Sequence, residues 1–262
     1  MTAIEVIAGR AVNPNGVLTT VTNNTGNTFT VRDAPDTGAI YVEELWAQAA
    51  TACEMRLISP RLHDNVQGLR FQIPAAVVRS VLPDESRQRV YANDPLTMQI
   101  SGGAAETDVA CALMTYEDIT GIKQELHTWE ETSSRIVDYL GHVVQVTGPT
   151  TAGDWSAGNL LTSFSQQQKA DNVYALLGYV TGTAVAAIGL AGADTGNLRV
   201  GGPGPLEPIE TRDWFVSLAR NTGKPFIPWI KANNFASTTV SEVKATAGGT
   251  DNVTLLFARL SA

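Results

Sequence analysis

The same grammar is written twice along this chain, in the same order. "DNVQGLRF" at 64–71 and "DTGNLRV" at 194–200 each set an Asp and turn-forming residues ahead of Leu-Arg and an apolar residue, with Leu69 and Leu198 separated by 129 positions. Upstream, "NTFTVRDAPDTGAIYVEEL" places Phe29 ahead of Ile40, Tyr41 and Val42. "TSFSQQQKADNVYALLG" places Phe164 ahead of Val173, Tyr174 and Ala175, so the tyrosines are 133 apart. Downstream, "GGAAETDVACALMTYED" (102–118) faces "GGTDNVTLLFARLSA" (248–262), with Asp108 and Asp251 separated by 143. The offsets drift by amounts that loop insertions explain, since the second half carries an extra segment, "IETRDWFVSLARNTGKP". A repeat of this period makes each copy a unit with its own core. The alternative is two unrelated β-rich halves that share strand and turn grammar.

Each unit reads as short strands. "ACEMRLISP" and "GLRFQIP" are runs bounded by Pro or Gly. "LTMQI" alternates, with Leu96, Met98 and Ile100 on one face. "DVACALMTY" and "NVTLLFARL" are long and apolar, close their halves, and suit the centre of a sheet. "NPNG", "NNTG" and "DTG" mark turns, because Gly and Asn tolerate positive φ. Two helices are predicted. In "IETRDWFVSLARNTGKP", Trp214, Phe215 and Leu218 share a face, and Gly223 and Pro225 end the helix. In "YEDITGIKQELHTWEETSSRIVDYL", Ile119, Ile122, Leu126 and Trp129 fall at helical spacing between the two units, with Glu125, Glu130 and Glu131 outward. The expected fold is all-β with a few short helices: two tandem jelly-roll sandwiches, each of roughly eight strands. The expected boundaries are an N-terminal arm over 1–27 that packs on a neighbour, a first jelly roll with its linker helix over 28–132, and a second over 133–262.

Charge narrows the function classes. The chain has 18 basic and 26 acidic residues, a formal charge of −8, which argues against a general nucleic-acid binder. The imbalance lies in the first half: residues 1–132 hold 9 basic and 17 acidic side chains, and residues 133–262 hold 9 of each. Related halves would then face different surroundings, unless the difference is drift on a solvated surface. The two cysteines, Cys53 and Cys111, sit in apolar runs and read as small buried hydrophobes rather than a disulfide. "MTAIEVIAGR" lacks the features of a secretion signal, and "TAVAAIGLAGA" is too short to span a bilayer. A soluble protein made in the cytoplasm is expected.

No catalytic pattern stands out. His63, His127 and His142 form no His-x-His pair of the cupin type, and structural or solvent-facing roles suit them better than metal binding. No G-x-S-x-G elbow occurs, although a triad that converges only in space stays open. "GGPGPLEP" (201–208) superficially resembles a phosphate loop, but its prolines remove N–H donors, so it reads as a stiff surface loop. The pairs Glu43-Glu44, Asp84-Glu85 and Glu117-Asp118 read as solvated acids, or as glycosidase carboxylates if a cleft brought two together. No cofactor or metal is predicted. "GKPFIPWIKANNF" (223–235) sets Phe226, Trp229, Ile230 and Phe235 beside Pro225 and Pro228, as an edge strand or extended loop. These four are the expected subunit-interface residues, unless the loop packs on its own core.

Two β-rich units in tandem, a helix before the closing strands and the paired anchors "IYV/VYA", "GLR/NLR" and "GG…TD" resemble the double jelly-roll major capsid proteins of tailless, membrane-containing bacterial and archaeal viruses and of adenovirus. The resemblance covers residues 28–262 and implies a homotrimer of pseudo-hexagonal outline that tiles an icosahedral shell. It further implies a virion location, no enzymatic activity, contacts with other virion proteins such as a penton protein and with an internal lipid membrane, and no sequence-specific nucleic acid. Short loops argue against towers on the outer face. Two other classes stay open. One is a carbohydrate-binding or carbohydrate-cleaving sandwich with exposed Trp155 or Trp229. The other is a different phage structural part, in the tail or minor capsid.

Overall fold

The computed structural model describes residues 2–30, 39–60, 68–75, 79–80, 87–91, 94–161, 172–205 and 211–261. The readings for His63, Phe164, Asp84-Glu85 and positions 206–208 lie outside them.

The first unit contains β1 (Thr2–Val12), β2 (Thr19–Thr20), β3 (Phe29–Thr30), β4 (Ala39–Gln48), β5 (Cys53–Ile58), β6 (Leu69–Ile73), β7 (Arg79–Ser80), β8 (Gln88–Val90), β9 (Pro95–Ile100) and β10 (Thr107–Glu117). The second contains β11 (Leu126–His127), α1 (Trp129–Ser133), β12 (Ile136–Thr147), β13 (Asn159–Leu160), β14 (Val173–Val180), β15 (Val185–Ala191), β16 (Val200–Pro203), α2 (Trp214–Thr222), β17 (Ile227–Lys231), β18 (Thr239–Lys244) and β19 (Thr250–Leu260). Among the described strands every ladder pairs within one unit, and every pairing is antiparallel; β11 at 126–127 pairs in the second unit, so the boundary falls ahead of it and not at 132.

The two halves have one topology. The first unit's front sheet runs β1-β10-β4 and then β7 and β8; its back sheet runs β2 or β3, then β9-β5-β6. The second unit's front sheet runs β12-β19-β14-β17 with β11 outermost, and its back sheet runs β13-β18-β15-β16. Strand for strand, β1 matches β12, β4 matches β14, β9 matches β18 and β10 matches β19. Even the irregularities repeat. The β10–β4 ladder bulges opposite Leu113/Met114 at Glu43, and the β14–β19 ladder bulges opposite Leu256/Phe257 at Leu177. The fold is two tandem jelly rolls.

The repeated bulge fixes the alignment of the halves. The bulge in the last strand moves by 143 positions, the Asp108-to-Asp251 spacing. The bulge in β4 moves by 134 to reach β14, so the expected Tyr41–Tyr174 match is one residue out. A slip of one turns a side chain to the other face. Tyr174 is fully buried, whereas Tyr41 is half-exposed with the Arg87 guanidinium 3.7 Å from its ring centre.

Alternation builds each core. Leu96, Met98 and Ile100 of β9 and Cys53, Met55 and Leu57 of β5 all face inward and are buried. Strand β10 is buried on both faces. Ala110, Ala112 and Met114 turn to the first unit's own core, while Val109, Cys111 and Leu113 turn to the second unit. Ile4, Val6 and Ala8 of β1 and Trp46 of β4 share that outer face. They pack on β15 and β16, the second unit's back sheet, where Trp46 Nε1–H donates to Ala186 O at 2.9 Å and Val6 N–H to Arg199 O at 2.8 Å. Burying each Val, Leu or Ile contributes about 1.5–3 kcal/mol, so the contact between units is part of the fold.

Three expectations need correction. Residues 2–12 are not part of an arm; the apolar alternation of "AIEVIAG" makes β1 a full strand of the front sheet, paired with β10 over its whole length. The long linker helix is absent. Asp118 and Gly121 take positive φ (53° and 79°), and the helix shrinks to α1, five residues with a Thr128/Glu131 capping box. The four apolar residues at helical spacing serve two cores: Ile119 and Ile122 pack on the first unit, Leu126 and Trp129 on the second. Positions 201–203 of the expected surface loop belong to β16, a buried edge strand. Gly201 is required there, because a Cβ would stand 1.9 Å from Ile188 O. The α2 helix matches its expectation, ending at Gly223 with φ 65°.

Candidate functional site

Most of the apolar side chains of the 223–235 segment turn into this chain, while Gly223, Lys231 and Asn233 are exposed. Phe226, Ile230 and Phe235 are buried in the second unit's own core, where Phe235 meets Tyr174 at 5.4 Å and Phe257 at 5.6 Å between ring centres. These three side chains are therefore not presented at the surface. Trp229 is half-buried and turned to the linker. It stacks on His127 at 3.4 Å, donates from Nε1 to Thr132 Oγ1 at 3.1 Å, and has Arg135 4.9 Å away. The edge-strand expectation is not met: β17 lies between β14 and the two-residue β11, and Pro228 pairs only with β11. Trp155 has Arg199 4.8 Å from its ring, in a crevice of about 440 Å³ between the units that also holds Glu5, Asn23 and Phe29.

The buried titratable groups sit at matching places in the two units. Asp108 opens β10 and points into the first sandwich; burial, with the Glu106 charge next, pushes its pKa up to about 7. Gly102 is needed beside it, since a Cβ there would stand 1.8 Å from Asp108 Oδ2. Asp251 is the counterpart at the start of β19, but there Lys244 Nζ stands 2.7 Å from its carboxylate. In that pair's company, burial first and Asp251 second push Glu242 up to about 8. These groups face sheet interiors rather than a cleft. Cys53 is pushed up to about 12 and Cys111 is also raised, both chiefly by burial, so neither is a thiolate nucleophile. Burial lowers the pKa of both His127 and His142. Among the described residues no cluster of three metal-ligating side chains forms, and no helix is long and apolar enough to cross a membrane.

The surface feature with most interaction character is the outer face of the second unit's front sheet. Strand β12 is twelve residues long and lies at the sheet edge. Its even-numbered Val144 and Val146 turn inward, while Val137, Tyr139 and Val143 are 52%, 69% and 57% exposed. Beside them on β19 lie Thr254 and Leu256. Between this face and α2 opens a cleft of about 450 Å³, walled by Trp129, Tyr139, Val216 and Leu256 and flanked by Arg212 and Arg220. Exposed apolar side chains gathered on a long edge strand mark an interaction surface or an aggregation hazard. The sequence carried a signal for it, the alternation in "VDYLGHVVQV", hidden by the helical reading of its first residues.

The molecule is thus defined as a tandem jelly-roll protein in which β12 exposes Val137, Tyr139 and Val143 beside the cleft that α2 walls. No protein-family model and no curated protein sequence matches the chain. Among solved structures it is similar to the PBSX exported protein XepA, at 8% identity over 99% of this chain and 84% of that one, with a TM-score of 0.21. It is also similar to the triple jelly roll protein of an archaeal virus turret assembly (12% identity, 100% and 80% covered, TM-score 0.23). A third is the STIV MCP (9% identity, 99% and 97% covered, TM-score 0.20). The fold assignment rests on the repeated strand order and not on overlaps of this size.

Proposed function

We propose that this chain is a structural protein of a virus particle, a major capsid protein that assembles as trimers into an icosahedral shell. The observation that carries the reading is the duplication itself: two jelly rolls of one topology, held side by side by a buried contact into one block. Three such blocks give six similar units, the arrangement that tiles a hexagonal net. The role is architectural, so the buried acids, thiols and histidines serve packing and not turnover. The partners are other copies of the chain, other virion proteins such as a penton protein, and an underlying lipid membrane. The chain is made in the host cytoplasm and ends in the virion.

Electron microscopy of the purified protein tests this. Three-fold particles with a hexagonal outline, or closed shells, are expected. Monomers alone, under every salt and concentration condition, would overturn the reading. A glycan-dependent rise in melting temperature without assembly would instead favour a carbohydrate-binding sandwich.

A further inference from the structure

We propose that Lys244 and Asp251 become joined by an amide bond between their side chains, formed by the folded chain itself with Glu242 as the proton-transfer group. The bond ties the back sheet of the second unit to its front sheet. It is independent of the shell-protein reading.

Strand geometry brings the three groups together. Lys244 closes β18 in the back sheet, and Asp251 stands second in β19 of the front sheet. Asp251 shares a face with buried Val253 and Leu255, so its carboxylate turns into the sandwich. There Lys244 Nζ stands 2.7 Å from Asp251 Oδ2 and donates to Gly248 O at 3.3 Å. Glu242 precedes Lys244 by two residues, on the same face of β18, and its carboxyl lies beside that of Asp251. Glu242 has no exposed surface, and Lys244 is only 7% exposed.

An ion pair at the surface has little reason to react, because water holds both charges. This one is shielded, and two carboxyls share one amine. Burial disfavours the charged forms, and the neutral amine and neutral acid are the forms that condense. Glu242, raised to about 8 chiefly by burial, keeps its proton at neutral pH and has one to hand on. Reacting groups held in contact have an effective concentration of about 10⁵–10⁸ M, which offsets the cost of making an amide.

The step balances. A proton passes from Lys244 Nζ to Asp251, leaving an amine and an acid. The nitrogen lone pair attacks Cγ, and the carbonyl oxygen that receives the displaced electron pair takes the Glu242 proton. Glu242 takes a proton back from the nitrogen and passes it to one hydroxyl. The bond from Cγ to that oxygen breaks, water leaves, and the last hydroxyl proton returns to Glu242. Nothing is oxidised or reduced, and one water is lost. The first unit is the internal control: Asp108 holds the equivalent place with Glu106 beside it, but β9 carries no lysine.

Mass spectrometry of the denatured full-length chain tests the bond. The parent, incubated folded, is expected to be lighter than its sequence by one water. Trypsin, which needs a free lysine, is expected to release residues 232–259 as one peptide uncut after Lys244. Lys244→Arg and Asp251→Ala are expected to keep the water. Glu242→Gln is expected to form the bond at least tenfold more slowly while folding as the parent does. A folded parent at full sequence mass that trypsin cuts after Lys244 overturns the proposal, and this result decides alone if a variant does not fold. So does a water loss that persists in Lys244→Arg, or a Glu242→Gln chain that crosslinks as fast as the parent.

Discussion

Strands β1 and β12 hold the same place in the two units, yet one is interior and the other is surface. Each is an edge strand of its front sheet, paired along its length with the last strand of its unit. Ile4 and Val6 of β1 are buried by the second unit, whereas Tyr139 and Val143 of β12 are exposed. One jelly roll therefore has two kinds of surroundings, and side chains record which. The face with a partner inside the chain carries Ile, Val and Ala. The face without one carries Tyr, Gly and Val beside Thr254 and Asn252. The charge split runs the same way, with the acidic excess confined to residues 1–132.

That contrast breaks most sharply with paired charges. Val6→Asp places a carboxylate between the units and is expected to cost more than about 4 kcal/mol, leaving little folded protein; Tyr139→Asp is expected to cost less than about 0.5 kcal/mol, both read by chemical denaturation of the monomer. Next in size, Gly201→Ala drives a methyl group into Ile188 O and is expected to cost about 2–4 kcal/mol, because backbone and not a flexible side chain stands in the way. Trp229→Ala opens a cavity against His127 and Thr132 and is expected to cost about 2–4 kcal/mol. Sizing the same sample shows whether Trp229 also serves assembly. A loss of oligomer well beyond the loss in melting stability would restore it to the interface.

The smallest effect depends on pH and separates the two buried acid sites. In the fold, Asp108 titrates at about 7 against about 4 in an unfolded chain. The native state therefore holds the extra proton between these values, and stability falls as pH rises through that window, then levels off above it. Asp108→Asn removes this dependence and is expected to stabilise by about 1–2 kcal/mol at pH 8 while changing little at pH 4. Asp251→Asn is expected to destabilise at pH 8, since it leaves Lys244 without its carboxylate. Melting curves at the two pH values read both.

Much of this architecture was legible in the sequence, and the misses have physical causes. Ordered anchors found the duplication because buried strands and their turns are constrained alike in both copies; the Asp108–Asp251 spacing matches the bulge spacing outright. The tyrosine match slipped by one because a shared residue type was read as a shared position, whereas the structural counterpart of buried Tyr174 is buried Ile40. The linker looked helical because Ile119, Ile122, Leu126 and Trp129 have helical spacing, but they are shared between two cores. The aromatic 223–235 segment looked like an interface because large apolar residues near prolines satisfy either a partner or a core, and composition alone does not distinguish them. The bare face was the least legible, since exposure on one side of a strand depends on which unit covers it.

The central claim, that a duplicated jelly roll is built to be completed by its own copies, is tested most directly by the mass of the parent protein as its concentration is raised. A species at three times the 27.9 kDa chain mass, replaced by larger assemblies at the highest concentrations, is the expected result. A single species at 27.9 kDa throughout would contradict it.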